Sequence, residues 1–155
     1  MNAARDALTE AGLDGAWGAD GDHLKTKADI DITASTGFCF FTIDPSEFVE
    51  NRADMMEESE LNAKVEKMVE DGILPSNWTE NYLWREFDIG QGEPLRFEPG
   101  SLHRAAVKYA RAIDHCGTLS AHISSTVPPE KRELELSVDE TDSPTYPLEH
   151  LFFAL

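Results

Sequence analysis

The run Phe38-Cys39-Phe40-Phe41-Thr42-Ile43, closed by Asp44-Pro45, constrains the fold of this chain more than any other stretch. Its hydrophobicity is continuous rather than alternating. That is the pattern of a strand covered on both faces, as in a parallel sheet flanked by helices. The residues upstream supply its partner. Residues 15–20 read as a short strand ending at Asp20. Thr26, with Asp29 three residues later, marks a helix start by a weaker form of the capping box. Ile30 and Ala34 give that helix its inner face, and Gly37 stops it. Residues 15–43 are thus predicted to form a β-loop-α-Gly-β unit, and the right-handed crossover rule is expected to bring Asp20 and Asp44 to the same edge of the sheet.

The rest of the chain continues an α/β reading with mostly parallel strands. Residues 2–11 have helical spacing, with Gly12 as the cap. Residues 54–71 form a long charged helix with Met56, Leu61, Val65, Met68 and Val69 on one stripe, and Gly72 ends it. Residues 75–100, carrying Trp78, Tyr82, Trp84, Phe87 and Phe97, read as an ordered excursion. Ser101 is expected to cap a helix from Leu102 to His115 or beyond. After Pro128-Pro129, Glu133 to Val138 alternates acidic and apolar residues as a strand does, and Pro147 opens a last helix to Leu155. That helix has no capping glycine and ends on five apolar residues, so the chain is expected to be the middle of a longer one. A complete eight-fold barrel typically needs about 250 residues, and 155 is short of that.

Composition excludes some partners. Acidic residues number 30 against 13 basic, a formal charge of -17, which disfavours nucleic acid and anionic membranes. Cys39 and Cys116 have neither disulfide-framework nor metal-ligand spacing and are expected to be thiols. The amino terminus has no signal-peptide pattern and no segment approaches membrane-span length, so the expected location is cytoplasmic.

Two acidic clusters carry candidate chemistry. In Asp20-Gly21-Asp22-His23, two carboxylates and an imidazole occupy four residues at a strand end. On an extended loop, Asp22 and His23 are expected to point in different directions, one toward a metal and the other toward proton transfer. In Asp139-Glu140-Thr141-Asp142, three acids follow the last strand, and crowding of that kind raises a carboxyl pKa toward the range of a general acid. Each run alone is also what a solvated turn looks like; together they point to a divalent-metal site with acid/base partners. Asp44 is an intermediate case, since Asp-Pro is a common turn. His103, His115, His122 and His150 read as surface or core histidines.

These residues resemble the tagaturonate/fructuronate epimerase family. The resemblance lies in Gly18-Ala19-Asp20-Gly21-Asp22-His23-Leu24-Lys25-Thr26, in Gly37 to Pro45, in Leu134 to Thr145, and in Pro147-Leu148-Glu149-His150-Leu151-Phe152. It implies part of a TIM-like (β/α) barrel, here a single incomplete domain over 1–155. It also implies a metal-dependent isomerase that inverts one hydroxyl-bearing carbon of a keto-uronate. By motif, Asp22 corresponds to the proton acceptor, His23 to a ligand of a divalent cation (zinc, manganese, nickel, cobalt or iron), and Glu140 to the proton donor. The family's other metal-binding histidines would lie beyond Leu155. The isolated chain is therefore expected to bind metal poorly, to be inactive or nearly so, and to self-associate through an open sheet edge. Two other readings remain: a metal-dependent hydrolase or aldolase on a similar barrel, and a non-catalytic acidic α/β interaction module.

Overall fold

The computed structural model describes residues 2–13, 15, 17–90, 92–139 and 141–155. Its elements are α1 (Asn2–Glu10), β1 (Asp20–Leu24), α2 (Lys27–Ser35), β2 (Phe40–Ile43), α3 (Glu58–Glu70), α4 (Pro99–Thr126), β3 (Glu133–Leu136) and α5 (Pro147–Ala154), with short 3-10 turns between them. The chain divides into two compact units. A sheet unit comprises residues 1–45 and 116–139, and a helical unit comprises 46–115 and 140–155. Helix α4 contributes to both.

The sheet unit is α/β. Its three strands lie in the order β1-β2-β3, all parallel, and the sheet is open rather than closed. Central β2 carries the apolar run, with Phe41 and Ile43 fully buried. Around them the unit buries Leu24 and Ile30, and Leu119 and Ile123 from the second half of α4. The start of α2 is as the sequence predicts. Thr26 Oγ1 accepts from Asp29 N–H at 3.2 Å, and the Asp29 carboxylate accepts from Thr26 N–H at 2.8 Å. Gly37, at φ 87°, turns the chain out of α2 in a conformation that side chains resist. Gly21 lies close under α2, where an added Cβ would meet the Thr33 methyl at 3.1 Å.

One strand is displaced from its expected place. The first strand is not 15–20 but Asp20–Leu24, so Asp20-Gly21-Asp22-His23 lies on the strand itself. Gly and Asp are poor strand formers, and parallel pairing to β2 overrides that weak preference. Asp20 therefore sits at the amino-terminal end of β1, paired with Phe40, and not beside Asp44.

Register sorts the sheet's side chains. Gly21, Phe41 and Leu134 share one face, with Leu24, Ile43 and Leu136 further along it. Asp20, Thr42 and Glu135 share the other. There the Thr42 hydroxyl lies 3.2 Å from Asp20 Oδ1 and 3.0 Å from Glu135 Oε2, and its single proton serves one of them at a time. Strand β3 is exposed along its length, including Leu134 and Leu136.

The helical unit is built on α4. Its core joins Leu61, Val65 and Met68 of α3 to Leu102, Ala106 and Tyr109 of α4 and Phe152 of α5, with Trp78 and Phe97 from the 75–100 excursion. Two boundaries differ from expectation. Helix α4 begins at Pro99, so Ser101 lies inside its first turn, where its hydroxyl donates back to the Glu98 carbonyl at 2.9 Å. Helix α3 begins at Glu58 and not at residue 54, because residues 51–55 form a 3-10 turn held from outside. Arg104 donates to the Ala53 and Met56 carbonyls, and Lys108 pairs with Asp54.

Lys108 has no solvent exposure. Its ammonium donates to Asp54 Oδ2 at 3.0 Å, Ser143 Oγ at 3.0 Å and Glu149 Oε1 at 3.1 Å, which uses all three of its protons. Glu149 in turn accepts from the Tyr146 N–H at 2.9 Å and so closes the first turn of α5. Burial works against the charge on Lys108, but the bonds to Asp54 and Glu149 outweigh it and hold its pKa above the ordinary value. Burial likewise opposes the Asp54 charge, and the bonds from Ser143 and Lys108 reverse the balance, leaving its pKa below 3.8.

Lys108→Met is expected to lower stability by about 3–5 kcal/mol, because it leaves the buried Glu149 carboxylate and the partly buried Asp54 carboxylate without their cation. Adding Glu149→Leu should recover part of that loss, as read by denaturant midpoints. The pH dependence follows from the directions of the shifts. Stabilisation from Asp54 is present above pH 3.8 and is lost as pH falls through its depressed pKa, while that from Lys108 persists until pH rises past its raised pKa. Thermal melts should therefore be flat around neutrality and fall in acid below the ordinary carboxylate pKa.

Candidate functional site

The candidate site lies at the carboxyl-terminal ends of the strands in the sheet unit. Its centre is a break in the β1–β2 ladder. Gly21 pairs with Phe41 and Leu24 with Ile43, so Asp22 and His23 together oppose the single residue Thr42. This is a β-bulge, and His23 adopts the left-handed conformation with φ 51°. Such a φ is uncommon outside glycine, with Asn, Asp and His the usual exceptions.

The bulge turns the imidazole toward two carboxylates. His23 Nδ1 lies 3.1 Å from Asp44 Oδ2, and Nε2 lies 3.7 Å from Asp22 Oδ1. The side chains of Asp22 and His23 thus converge, contrary to the divergence expected of an extended loop, because the left-handed residue swings the ring back over its neighbour. Asp44, the residue after β2, has a side chain only 1% exposed. Its backbone N–H donates to Leu24 O at 3.1 Å, continuing the ladder, and its Oδ2 also receives Lys25 Nζ at 3.1 Å. Asp22 is the open member of the group, with a side chain 66% exposed.

Charge in the cluster is coupled. The hydrogen bond to Asp44 raises the His23 pKa above 6.5, against a partial desolvation, and the charges of Asp22 and Asp139 add to the rise. The Ser137 hydroxyl donates to Asp139 and holds that carboxyl below its ordinary value. Ser137 is itself fixed by its N–H to the Ile43 carbonyl at 2.9 Å.

Asp22, His23 and Asp139 therefore belong to one electrostatic neighbourhood, to which the structure adds Asp44 and Lys25. The adjacency of Asp44 and Pro45 at the end of an apolar strand was the only sequence signal for Asp44, and nothing in the sequence singled out Lys25. Glu140 lies outside the described residues. Thr141 and Asp142 belong to the helical unit, where the Asp142 N–H donates to Asn51 at 3.2 Å. The other histidines have their own surroundings. His103 bonds Asn62 at 2.7 Å, His115 stacks on Phe48, His122 bonds Asp31 at 2.7 Å, and His150 is exposed. Cys39 and Cys116 are free thiols, and burial pushes Cys116 up to about 12.

The donor set suits one corner of a cation site. Metal bonds of about 2.0–2.2 Å to an imidazole nitrogen and a carboxylate oxygen are compatible with the 3.7 Å between His23 Nε2 and Asp22 Oδ1. Among the described residues no three His, Cys, Asp or Glu side chains assemble into a fuller metal group. A cleft of about 820 Å³ opens at the amino-terminal ends of the strands, between Trp17, Asp20, Lys131 and Glu133, away from His23. The site is identified by its chemistry.

A profile of the family described as UxaE, tagaturonate epimerase, matches residues 1–155. The chain belongs to the tagaturonate epimerase family. A tagaturonate/fructuronate epimerase from Thermotoga maritima is 34% identical over 96% of this chain, which spans 31% of that relative's length. The fructuronate-tagaturonate epimerase of Cohnella laeviribosi, in a crystal structure with one glycerol bound, superposes on 98% of the chain with a TM-score of 0.86 at 32% identity, again over 30% of the larger protein. The native crystal structure of the same enzyme gives a TM-score of 0.80. The chain thus spans about a third of the length of these tagaturonate epimerase family members. No helix among the described residues is long and apolar enough to cross a membrane.

The bulge is open to a direct test that leaves the imidazole chemistry aside. His23→Gly and His23→Val both remove the ring, but only valine resists φ 51°. The valine variant is expected to be less stable than the glycine variant by about 1–2 kcal/mol, read as the difference between their urea midpoints. Equal midpoints would mean that the left-handed residue carries no strain.

Proposed function

We propose that this chain carries part of the active site of a divalent-metal-dependent epimerase that interconverts tagaturonate and fructuronate. In this reading Asp22 is the proton acceptor, His23 a metal ligand and Glu140 the proton donor. The observation that carries it is the bulge at the end of β1, which directs His23 Nε2 and the Asp22 carboxylate toward a common point. Family membership supports the role of each residue, and the role of Glu140 rests on the family motif alone.

The parallel order β1-β2-β3 supports a place for this sheet within a (β/α) barrel, whose active sites form at the carboxyl ends of the strands. Leu134 and Leu136 lie on the apolar face of β3, where further packing would cover them.

When bound, a divalent cation supplies Lewis-acid polarisation of the substrate's carbonyl and hydroxyl oxygens. The chain's own residues do the rest. His23 holds one ligand position with its ring fixed at Nδ1. Asp22, mostly exposed, can take a proton from a substrate placed beside the ring, and Glu140 returns one. Because this reading assigns the cation a single ligand among the described residues, His23, the 155 residues alone are expected to give little or no epimerisation with added Mn²⁺ or Zn²⁺.

Three substitutions in the active protein test the assignment. Asp22→Asn and Glu140→Gln are each expected to lower kcat about 10²–10⁴-fold, the range of general acid–base catalysis. His23→Ala should weaken metal binding. Turnover and metal affinity indifferent to all three changes would remove the proposed site.

A further inference from the structure

We propose that Asp44 is a positioning residue for His23: its buried carboxylate takes the proton-bearing Nδ1 of the ring and so presents the bare Nε2 to a divalent cation. The inference rests on the reading of His23 as a metal ligand. It stands on three features of the sheet unit. The first is what each atom can do. An ionised carboxylate only accepts, so the 3.1 Å bond between Asp44 Oδ2 and His23 Nδ1 requires the hydrogen to be on Nδ1. A neutral imidazole has one N–H, so Nε2 keeps its lone pair, and Nε2 is the atom that faces Asp22.

The second feature is the anchorage of Asp44. Its side chain is 1% exposed, at the end of the central strand, with its own N–H in the ladder to Leu24. Compared with an exposed carboxylate, it has little room to follow a rotating ring. A histidine held this way is fixed in orientation and is a more basic ligand.

The third is Lys25, whose ammonium lies 3.1 Å from the same Oδ2. An ammonium can only donate, so Oδ2 accepts from it as it does from the ring. A neutral acid at this position could instead donate to Nδ1 and select the opposite tautomer, with the lone pair facing inward.

The test is the tautomer of His23 in the full chain, labelled with ¹⁵N at histidine and free of metal, at a pH where the ring is neutral. Long-range ¹H–¹⁵N correlation should show the Nδ1–H form in the wild-type protein. Asp44→Leu should lose that form, and Asp44→Asn, which restores an acceptor oxygen, should keep it. Calorimetric titration of the active protein with Mn²⁺ should show affinity about 10–100-fold weaker for Asp44→Leu, with a smaller loss for Asp44→Asn. An Nε2–H ring in the wild-type chain overturns the proposal. So does a folded Asp44→Leu variant with the wild-type tautomer or wild-type Mn²⁺ affinity. If Asp44→Leu does not fold, the wild-type tautomer and the asparagine variant decide. In the active protein, an Nδ1–H ring at His23 without Mn²⁺ binding would refute the metal reading of His23 while leaving the hold of Asp44 on the ring established.

Discussion

A carboxylate removed from water must find cations or hydrogen-bond donors, and Asp44 is the place where that rule shapes the sheet unit. The apolar run of β2 carries the chain into the interior and leaves Asp44 at its end with a side chain 1% exposed. An unpaired charge there would be costly. Compensation comes from the neighbouring strand: His23 and Lys25 both reach Asp44 Oδ2, and the Asp44 backbone closes the ladder on Leu24. These bonds give the left-handed conformation of His23 a physical reason. Holding a residue with a side chain at such a φ costs about 1–2 kcal/mol, and a hydrogen bond to a charged group returns about 1.5–3 kcal/mol. The strain and its compensation are of the same size, so the bulge can persist without drawing on the stability of the rest of the unit.

The helical unit obeys the same rule with the sign reversed. Lys108 places an ammonium in the buried stretch of α4 that also holds Ala105, Ala106, Val107 and Tyr109. Three oxygen partners meet it, from the turn at Asp54, from Ser143 and from the start of α5 at Glu149. Since each partner comes from a different segment, the lysine sets where all three end. It holds the 3-10 turn ahead of α3 and the entry to α5. Breaking a buried pair costs more than a well-packed apolar substitute would, so Lys108 serves specificity of arrangement at least as much as stability.

Much of this was legible in the residues and some was not, for reasons that lie in the signals themselves. Periodicity and capping are local, so α2 with its Thr26–Asp29 box, the buried β2 run and the stripe on α3 could be read directly. Boundaries set by distant partners could not. The helix expected from residue 54 starts at Glu58 because Arg104 and Lys108, some fifty residues away, claim the preceding turn. Strand β1 is composed of Asp, Gly, Asp, His and Leu, which reads as a loop, and only its pairing to β2 makes it a strand. Of the candidate site, Asp22 and His23 were visible as a motif, but their convergence depends on a backbone conformation that no residue type announces. Lys108 did leave a trace: a lone lysine flanked by small and apolar residues on a helix is poorly placed for a solvated charge.

The bulge also explains why the motif could be written on a strand at all. In a regular ladder running on from Gly21 and Phe41, Asp22 would pair with Thr42, His23 with Ile43 and Leu24 with Asp44. Because side chains alternate with period two, His23 would then fall on the face of Phe41 and Ile43, which is buried, and Leu24 on the polar face of Thr42. Both would be misplaced, an imidazole without partners in the core and a leucine among carboxylates. The extra residue shifts the register by one, so that Leu24 pairs with Ile43 and is buried at 4% exposure. His23 is released from the alternation altogether and can turn to Asp44 and Asp22 together. The core requirement of Leu24 and the placement of His23 are therefore met by the same irregularity. A register that satisfied only one of them would either open the sheet's apolar face or bury the site.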